Sequence, residues 1–402
     1  MSPFNLETCC RPNILALEPY RCARDDYKDD GTNILLDANE NAYGPPLPSG
    51  TGPNSGPTLD LLTLHRYPDP HQPTLKSALC ALRNTHAHTP LTLTPSNLFL
   101  GVGSDEAIDA LLRAFCRPSL DRILVCPPTY GMYSVSAQIN DIALVKVPLL
   151  PGPSFALDVP AILSLLSSPT DSPTIKLLYL CSPGNPTGSL LSKSDIAAIL
   201  AHPTWNGLVV VDEAYVDFAQ AGDAASLAEW VLEFPNLVVM QTLSKAFGLA
   251  GIRLGAAFAA EPVARVLNNL KAPYNISSPT AAVAEYALSP TGLDAMRRNR
   301  AAIVAQRERL VRELEGVEGV GRRRGGLEGN FLLYEMLDAG GRASNEVAVG
   351  VYERLAEEKG VVVRFRGREV GCEGCLRITV GTEEENTRLL GALRAALGEV
   401  RG

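Results

Sequence analysis

Seven short apolar runs, spaced by segments long enough for helices or loops, constrain this chain more than any other feature. They are Phe99–Gly103, Ile123–Cys126, Ile142–Val147, Ile175–Leu180, Leu208–Val211, Leu237–Met240 and Ala256–Ala259. Several lack alternation between apolar and polar residues, so both faces of those strands need cover. The expected fold class is therefore α/β, with a large, doubly wound, mostly parallel sheet. Ligands of such sheets collect beyond the carboxyl ends of the strands. The chemically capable residues of this chain fall there.

Lys245 follows the run Leu237–Met240 within Thr242-Leu243-Ser244-Lys245, and Arg253 lies eight residues further on. An amine delivered off a strand end, among two hydroxyls and an arginine, has the parts to hold a phosphorylated aldehyde. A lone lysine in such a place is more often an ordinary solvated residue; the other strand ends decide between the two readings. Asp212 ends the run Leu208–Val211, with Tyr215 three residues later. A buried carboxylate there needs a proton donor or a cation, and a protonated pyridine nitrogen is one. Asn185 sits in the turn Ser182-Pro183-Gly184-Asn185-Pro186-Thr187-Gly188, able to offer its amide to an oxyanion. Tyr130, in Pro127-Pro128-Thr129-Tyr130, offers a ring for stacking. Ser104 reads as the N-cap of a helix from Asp105 to Cys116 whose free amides can hold an anion. Asp105 and Glu106 would repel a phosphate unless they turn away.

After Pro279 the pattern becomes α+β. Helices are expected at Leu293–Leu314, Asn345–Lys359 and Glu383–Leu397, and strands at Phe331–Tyr334, Val361–Phe365 and Leu376–Val380. The chain is accordingly divided into an N-terminal arm, 1–38, a large domain, 39–280, and a second, smaller α+β domain, 281–402. Residues 48–60 and 84–95 read as surface loops, and Arg322-Arg323-Arg324-Gly325-Gly326 as a solvated one.

With 36 basic and 44 acidic residues, the net charge of -8 argues against a general nucleic-acid surface. No apolar stretch reaches the length of a membrane span, and no leader is recognisable, so a cytoplasmic protein is expected. The nine cysteines are scattered, many inside apolar runs, as reduced core residues would be. Cys372 and Cys375 have a CxxC spacing but no second pair, and His86 and His88 have no nearby ligands in sequence; no metal site is expected.

The segments Asn39-Glu40-Asn41, Arg66-Tyr67-Pro68-Asp69, Gly103-Ser104-Asp105-Glu106, Pro127-Pro128-Thr129-Tyr130, Asp212-Glu213-Ala214-Tyr215, Thr242-Leu243-Ser244-Lys245-Ala246-Phe247 and Leu376-Arg377-Ile378-Thr379, with the turn around Asn185, resemble those of the histidinol-phosphate aminotransferases. These are class II aminotransferases of fold-type I that use pyridoxal 5′-phosphate, and the long loops resemble the fungal form. The resemblance runs from about residue 10 to 400. It implies that Lys245 condenses with the cofactor aldehyde and later moves the proton, that Asp212 pairs with the pyridine nitrogen, and that Tyr215 and Asn185 donate to the ring oxygen. By the same resemblance, Tyr130 would stack on the ring, and Ser104, Asp105, Thr242, Ser244 and Arg253 would form the phosphate region. Arg377, helped by Arg364, would hold the anionic end of the substrate, with Tyr20 and Asn39 near the entrance. Tyr67 would reach the cofactor phosphate of a second subunit, which implies a homodimer. The implied reaction moves the amino group of L-histidinol phosphate to 2-oxoglutarate. An aromatic amino-acid aminotransferase, or a decarboxylase of a phosphorylated amino acid, would use the same cofactor residues; a cofactor-binding regulator without catalysis is the remaining alternative.

Overall fold

The strands form where the apolar runs lie, in a computed structural model that describes residues 6–18, 20–27, 31–48, 64–167 and 174–401. The first strand, β1 (Ile34–Leu35), belongs to the segment leaving the arm. The next seven are β2 (Leu98–Val102), β3 (Arg122–Val125), β4 (Ala143–Lys146), β5 (Ile175–Cys181), β6 (Leu208–Asp212), β7 (Leu237–Thr242) and β8 (Leu254–Ala259). They make one seven-stranded sheet in the order β2-β8-β7-β6-β5-β3-β4.

Every residue of β6, β7 and β8 is buried, which is why these runs carry no polar alternation. Each fully covered Val, Leu or Met there stabilises the fold by roughly 1.5–3 kcal/mol relative to exposure. By contrast, β4 is an edge strand with exposed ends. The pairs β3–β4, β3–β5, β5–β6 and β6–β7 are parallel, whereas β8 runs antiparallel to both β7 and β2. That reversal matters for function. It brings the start of β8, with Arg253 just before it, to the edge where β2, β5, β6 and β7 end.

The C-terminal elements follow the expected order with adjusted bounds. Helix Pro290–Leu314 begins earlier than expected because Ser289 caps it through Gly292 N at 3.3 Å and Pro290 fits the first turn. Helix Asn345–Glu357 is capped by Ser344, and helix Glu383–Arg401 runs four residues past Leu397. The remaining strands are β9 (Val320–Arg324), β10 (Phe331–Met336), β11 (Val361–Val362), β12 (Arg364–Phe365) and β13 (Cys375–Thr379). Four of them form an antiparallel sheet, β12-β13-β10-β9, while β11 pairs in parallel with β1.

Two expectations are corrected here. The arginine run is not a solvated loop: Arg322 and Arg324 lie two apart on β9, on one side of the strand, and both pair with the buried Glu335 of β10, at 3.2 and 3.0 Å. The segment Val361–Phe365 is not one strand, since its halves join different sheets.

Residues 49–60 of one expected loop lie outside the described residues. The other loop is tied down: Asn84 brackets Leu93 with two hydrogen bonds, Glu229 accepts from His86 N at 2.6 Å, and His88 stacks on Trp230. Cys372 and Cys375 are buried and unpaired, and burial pushes the Cys372 thiol up to about 12. Among the described residues no helix is long and apolar enough to cross a membrane.

Candidate active site

A cavity of about 260 Å³ opens at the carboxyl edge of the large sheet, and every sequence-predicted site residue except Tyr67 lines it.

At one end the loop after β7 folds back on β8. Ser244 N donates to Thr242 Oγ1 at 3.1 Å, and Thr242 Oγ1 donates to the Leu254 carbonyl at 3.0 Å. Arg253 adopts a left-handed conformation, φ 53°, and its carbonyl accepts from Gly103 N at 3.0 Å. Gly103 itself has φ 73°, and a Cβ on it would stand 2.5 Å from Arg253 Nη2. Any other residue there would strain the backbone and push that guanidinium aside. Ser104 is not the helix N-cap. The helix starts at Gly103, with Ser104 inside the first turn, and it is Glu106 that reaches back to accept from Val102 N. Glu106 is thereby turned aside, as an anion at this helix end requires. Asp105 is not: it stays on the cavity wall, accepting from Tyr130 Oη at 3.2 Å and lying 3.5 Å from Arg253 Nη2. Arg253 offsets its charge.

Deeper in, β6 delivers Asp212, which is 3 % exposed. Oδ2 accepts from Tyr133 Oη at 2.7 Å and Oδ1 from Ala214 N at 3.1 Å. Both donors are neutral, and among the described residues this carboxylate forms no ion pair. Burial raises its pKa to about 6, against the lowering effect of those hydrogen bonds. A buried carboxylate with a defined orientation and no cation fits a protonated heterocycle as its partner. Tyr133 is a residue that sequence reasoning missed. It stands on the face between Tyr130, edge-on at 5.6 Å, and Tyr179, stacked at 4.8 Å. The one signal for it was its spacing, three residues after Tyr130 at the start of a helix.

Lys245 Nζ donates to the Ala38 carbonyl at 3.0 Å. Burial, then the charge of Arg377, lowers its pKa to about 8, so a substantial share is the neutral amine near physiological pH. Tyr215 accepts from Asn39 Nδ2 at 3.0 Å and from Asn185 Nδ2 at 3.5 Å. Asn185 Oδ1 in turn accepts from Arg377 Nη1 at 2.6 Å, and Arg377 Nη2 donates to the Asp37 carbonyl. Arg377 is buried on β13, and no partner is found for its Nε. Burial and the neighbouring Arg366 depress its pKa to about 9.

Tyr20 lies at the mouth of the cavity, edge-on to Tyr130. Arg364 lines it too, already paired with Asp26. Tyr67 is 81 % exposed, stacked on Tyr274 at 4.6 Å and outside its own chain's cavity.

The model of the family "aminotransferase class I and II" matches residues 32–393. The chain belongs to the class I and II aminotransferases. It is 52 % identical to a histidinol-phosphate aminotransferase of Schizosaccharomyces pombe over 98 % of both chains, and 50 % identical to one of Saccharomyces cerevisiae over 96 % of both. Its fold is shared with the crystal structure of histidinol-phosphate aminotransferase from Sinorhizobium meliloti in complex with pyridoxal-5′-phosphate, at a TM-score of 0.80 and 23 % identity over 98 % of each chain. This aminotransferase thus has the fold-type I architecture, and the loop residues expected from its strand ends meet in one cavity.

Proposed function

We propose that this aminotransferase binds pyridoxal 5′-phosphate and moves the amino group of L-histidinol phosphate to 2-oxoglutarate, giving imidazole-acetol phosphate and L-glutamate. One observation carries the reading: the cavity has separate cationic groups, Arg253 and Arg377, and both depress the charged form of Lys245. An amine between two anion sites suits a phosphorylated cofactor on one side and an anionic substrate on the other.

When bound, the cofactor supplies an aldehyde and a ring that accepts electrons from the substrate carbon. The chain's own residues do the rest. The cradle of Ser104, Thr242, Ser244 and Arg253 would hold the phosphate, Tyr130 would pack against the ring, and Asp212 would accept a hydrogen bond from a protonated ring nitrogen. Lys245 Nζ, as the neutral amine, would take the proton from the substrate carbon and hold it for the second half of the transfer. Arg377 anchors the substrate anion, with Arg364, Tyr20 and Asn39 nearby. Its planar fork accepts a phosphate or a carboxylate, so one site serves both amine donors.

The assembly read from the sequence belongs to the same proposal. Residues 1–38 act as an arm, 39–280 as the cofactor domain and 281–402 as the smaller domain, in a homodimer where Tyr67 completes the partner's phosphate site. Exposure of Tyr67 away from its own cavity supports that use.

The test is product formation by purified protein with the cofactor and 2-oxoglutarate, comparing L-histidinol phosphate with phenylalanine, tyrosine and threonine phosphate. Strong preference for L-histidinol phosphate, with glutamate as product, is expected. Equal or better use of an aromatic amino acid, or carbon dioxide release from threonine phosphate, overturns the substrate.

A further inference from the structure

The arm places a carboxylate on Arg364, one of the two guanidiniums proposed above to hold the substrate anion; Arg366, which also lines the cavity, is paired with Glu369 at 2.9 Å. Asp26 closes the short helix Ala23–Asp26, and its Oδ2 lies 2.5 Å from Arg364 Nη1. Arg364 Nη2 donates to the Arg21 carbonyl at 3.1 Å, so two of its donors are held by the arm. The two side chains are only 10 % and 17 % exposed, which limits screening of the pair. Asp26 Oδ1 accepts from the exposed Arg21. The same arm puts Tyr20, Cys22 and Ala23 on the cavity wall. A separate anchor holds it there: Arg24 reaches Asp37 at 3.3 Å and Glu40 at 3.0 Å. Asp26 can therefore leave Arg364 without release of the arm, and Arg21 remains as its partner.

Arg377 and Arg364 differ in what an incoming anion gains. Arg377 touches neutral acceptors only, the Asn185 amide and the Asp37 carbonyl, so any anion there adds a charge interaction. At Arg364 an anion must replace a carboxylate that is already seated. Exchange of one carboxylate for another changes the charge interaction little. A phosphate ester, with a charge of roughly -1.5 to -2 and three acceptor oxygens, gains by the exchange.

The geometry points to Asp26 as a specificity-determining residue, which holds Arg364 against monoanionic carboxylates and yields it to a phosphate. Glutamate is then anchored at Arg377 alone, while the phosphorylated amine engages both guanidiniums. This rests on the aminotransfer reading above, and wild-type protein that transaminates neither amine would overturn both.

The half-reactions of the holoenzyme with L-glutamate and with L-histidinol phosphate test it in wild type, Asp26→Asn and Asp26→Glu. In Asp26→Asn the KM for L-glutamate is expected to fall roughly tenfold and that for L-histidinol phosphate less than about threefold, the scale of one charge-assisted contact. Asp26→Glu restores the wild-type ratio. A rise of both constants in Asp26→Asn shows that Asp26 only orients Arg364, and unchanged constants show an inert pair; either overturns the proposal. If circular dichroism shows Asp26→Asn to be misfolded, Arg364→Gln decides. A KM increase much larger for L-histidinol phosphate than for L-glutamate supports the assignment, and equal increases overturn it.

Discussion

Lys245 and Ala38 are joined by a 3.0 Å hydrogen bond from amine to backbone carbonyl, across 207 positions of sequence. The amine at the end of β7 is thus seated against the segment that follows β1. In the proposed role it must leave that carbonyl to react, and it must be neutral to do so.

Those two requirements give a pH dependence. An unperturbed lysine titrates near 10.5, whereas burial and Arg377 bring Lys245 to about 8. Only the neutral amine attacks an aldehyde, so the rate of cofactor attachment to apoprotein is expected to rise with pH and level off above about 8. Stopped-flow absorbance of the attached cofactor measures it. Continued increase toward pH 10 would show that the lysine is not perturbed. Lys245→Ala is expected to lose turnover altogether, and near-normal turnover in that variant would end the mechanism.

Asp212 gives a stability signature in the apoprotein. Its folded pKa, about 6, lies above the ordinary 3.8, so the folded state binds the extra proton between those values. Apoprotein stability should therefore decrease as pH rises through that window, by on the order of 3 kcal/mol in all. Asp212→Asn removes the titration, and urea unfolding at pH 4 and pH 6.5 should show a smaller decrease for it than for wild type. The same variant is expected to bind cofactor more weakly and to lose at least 100-fold in turnover, about 2.7 kcal/mol of transition-state stabilisation.

Gly103→Ala tests the proposed phosphate cradle without replacing a polar side chain. The new methyl meets Arg253 Nη2 at 2.5 Å on a backbone with φ 73°. Left-handed backbone alone costs a non-glycine residue roughly 1–2 kcal/mol. Cofactor affinity, measured by fluorescence titration of apoprotein, is expected to fall about tenfold or more, with the helix content unchanged.

Tyr67 is tested by mixing. A Lys245→Ala chain retains Tyr67, and a Tyr67→Ala chain retains Lys245, so a mixed dimer has one complete site. Random exchange puts half the dimers in that form, and about a quarter of wild-type activity is expected from two weak parents. Activity no higher than the parents' average would remove Tyr67 from the partner site.

The positions of the site residues were legible because the sheet is buried on both faces. An apolar run such as Leu208–Val211 marks its own end, and Asp212 then stands out as the first polar residue. The same runs carry no sign of direction, so the reversal of β8 was not readable, although it is what brings Arg253 beside Gly103. Ser104 was misread as a cap because Glu106, two residues on, competes for that role with a longer side chain. Arg322 and Arg324 looked solvated because their shared partner, Glu335, comes from another strand. Asp26 was silent for the same reason: its meaning depends on Arg364, 338 residues away.

The pairing of β1 with β11 also sets an order of events on the ribosome. The strand that ends in Asp212, and those that flank Lys245 and Arg253, are complete once residue 259 has emerged, and their sheet can close behind them. Ile34 and Leu35 must wait more than three hundred residues for Val361 and Val362, and Arg364 and Arg377 arrive later still. A nascent chain can therefore close the sheet that bears Asp212 well before Arg364 and Arg377, from the far end of the chain, reach the cavity wall.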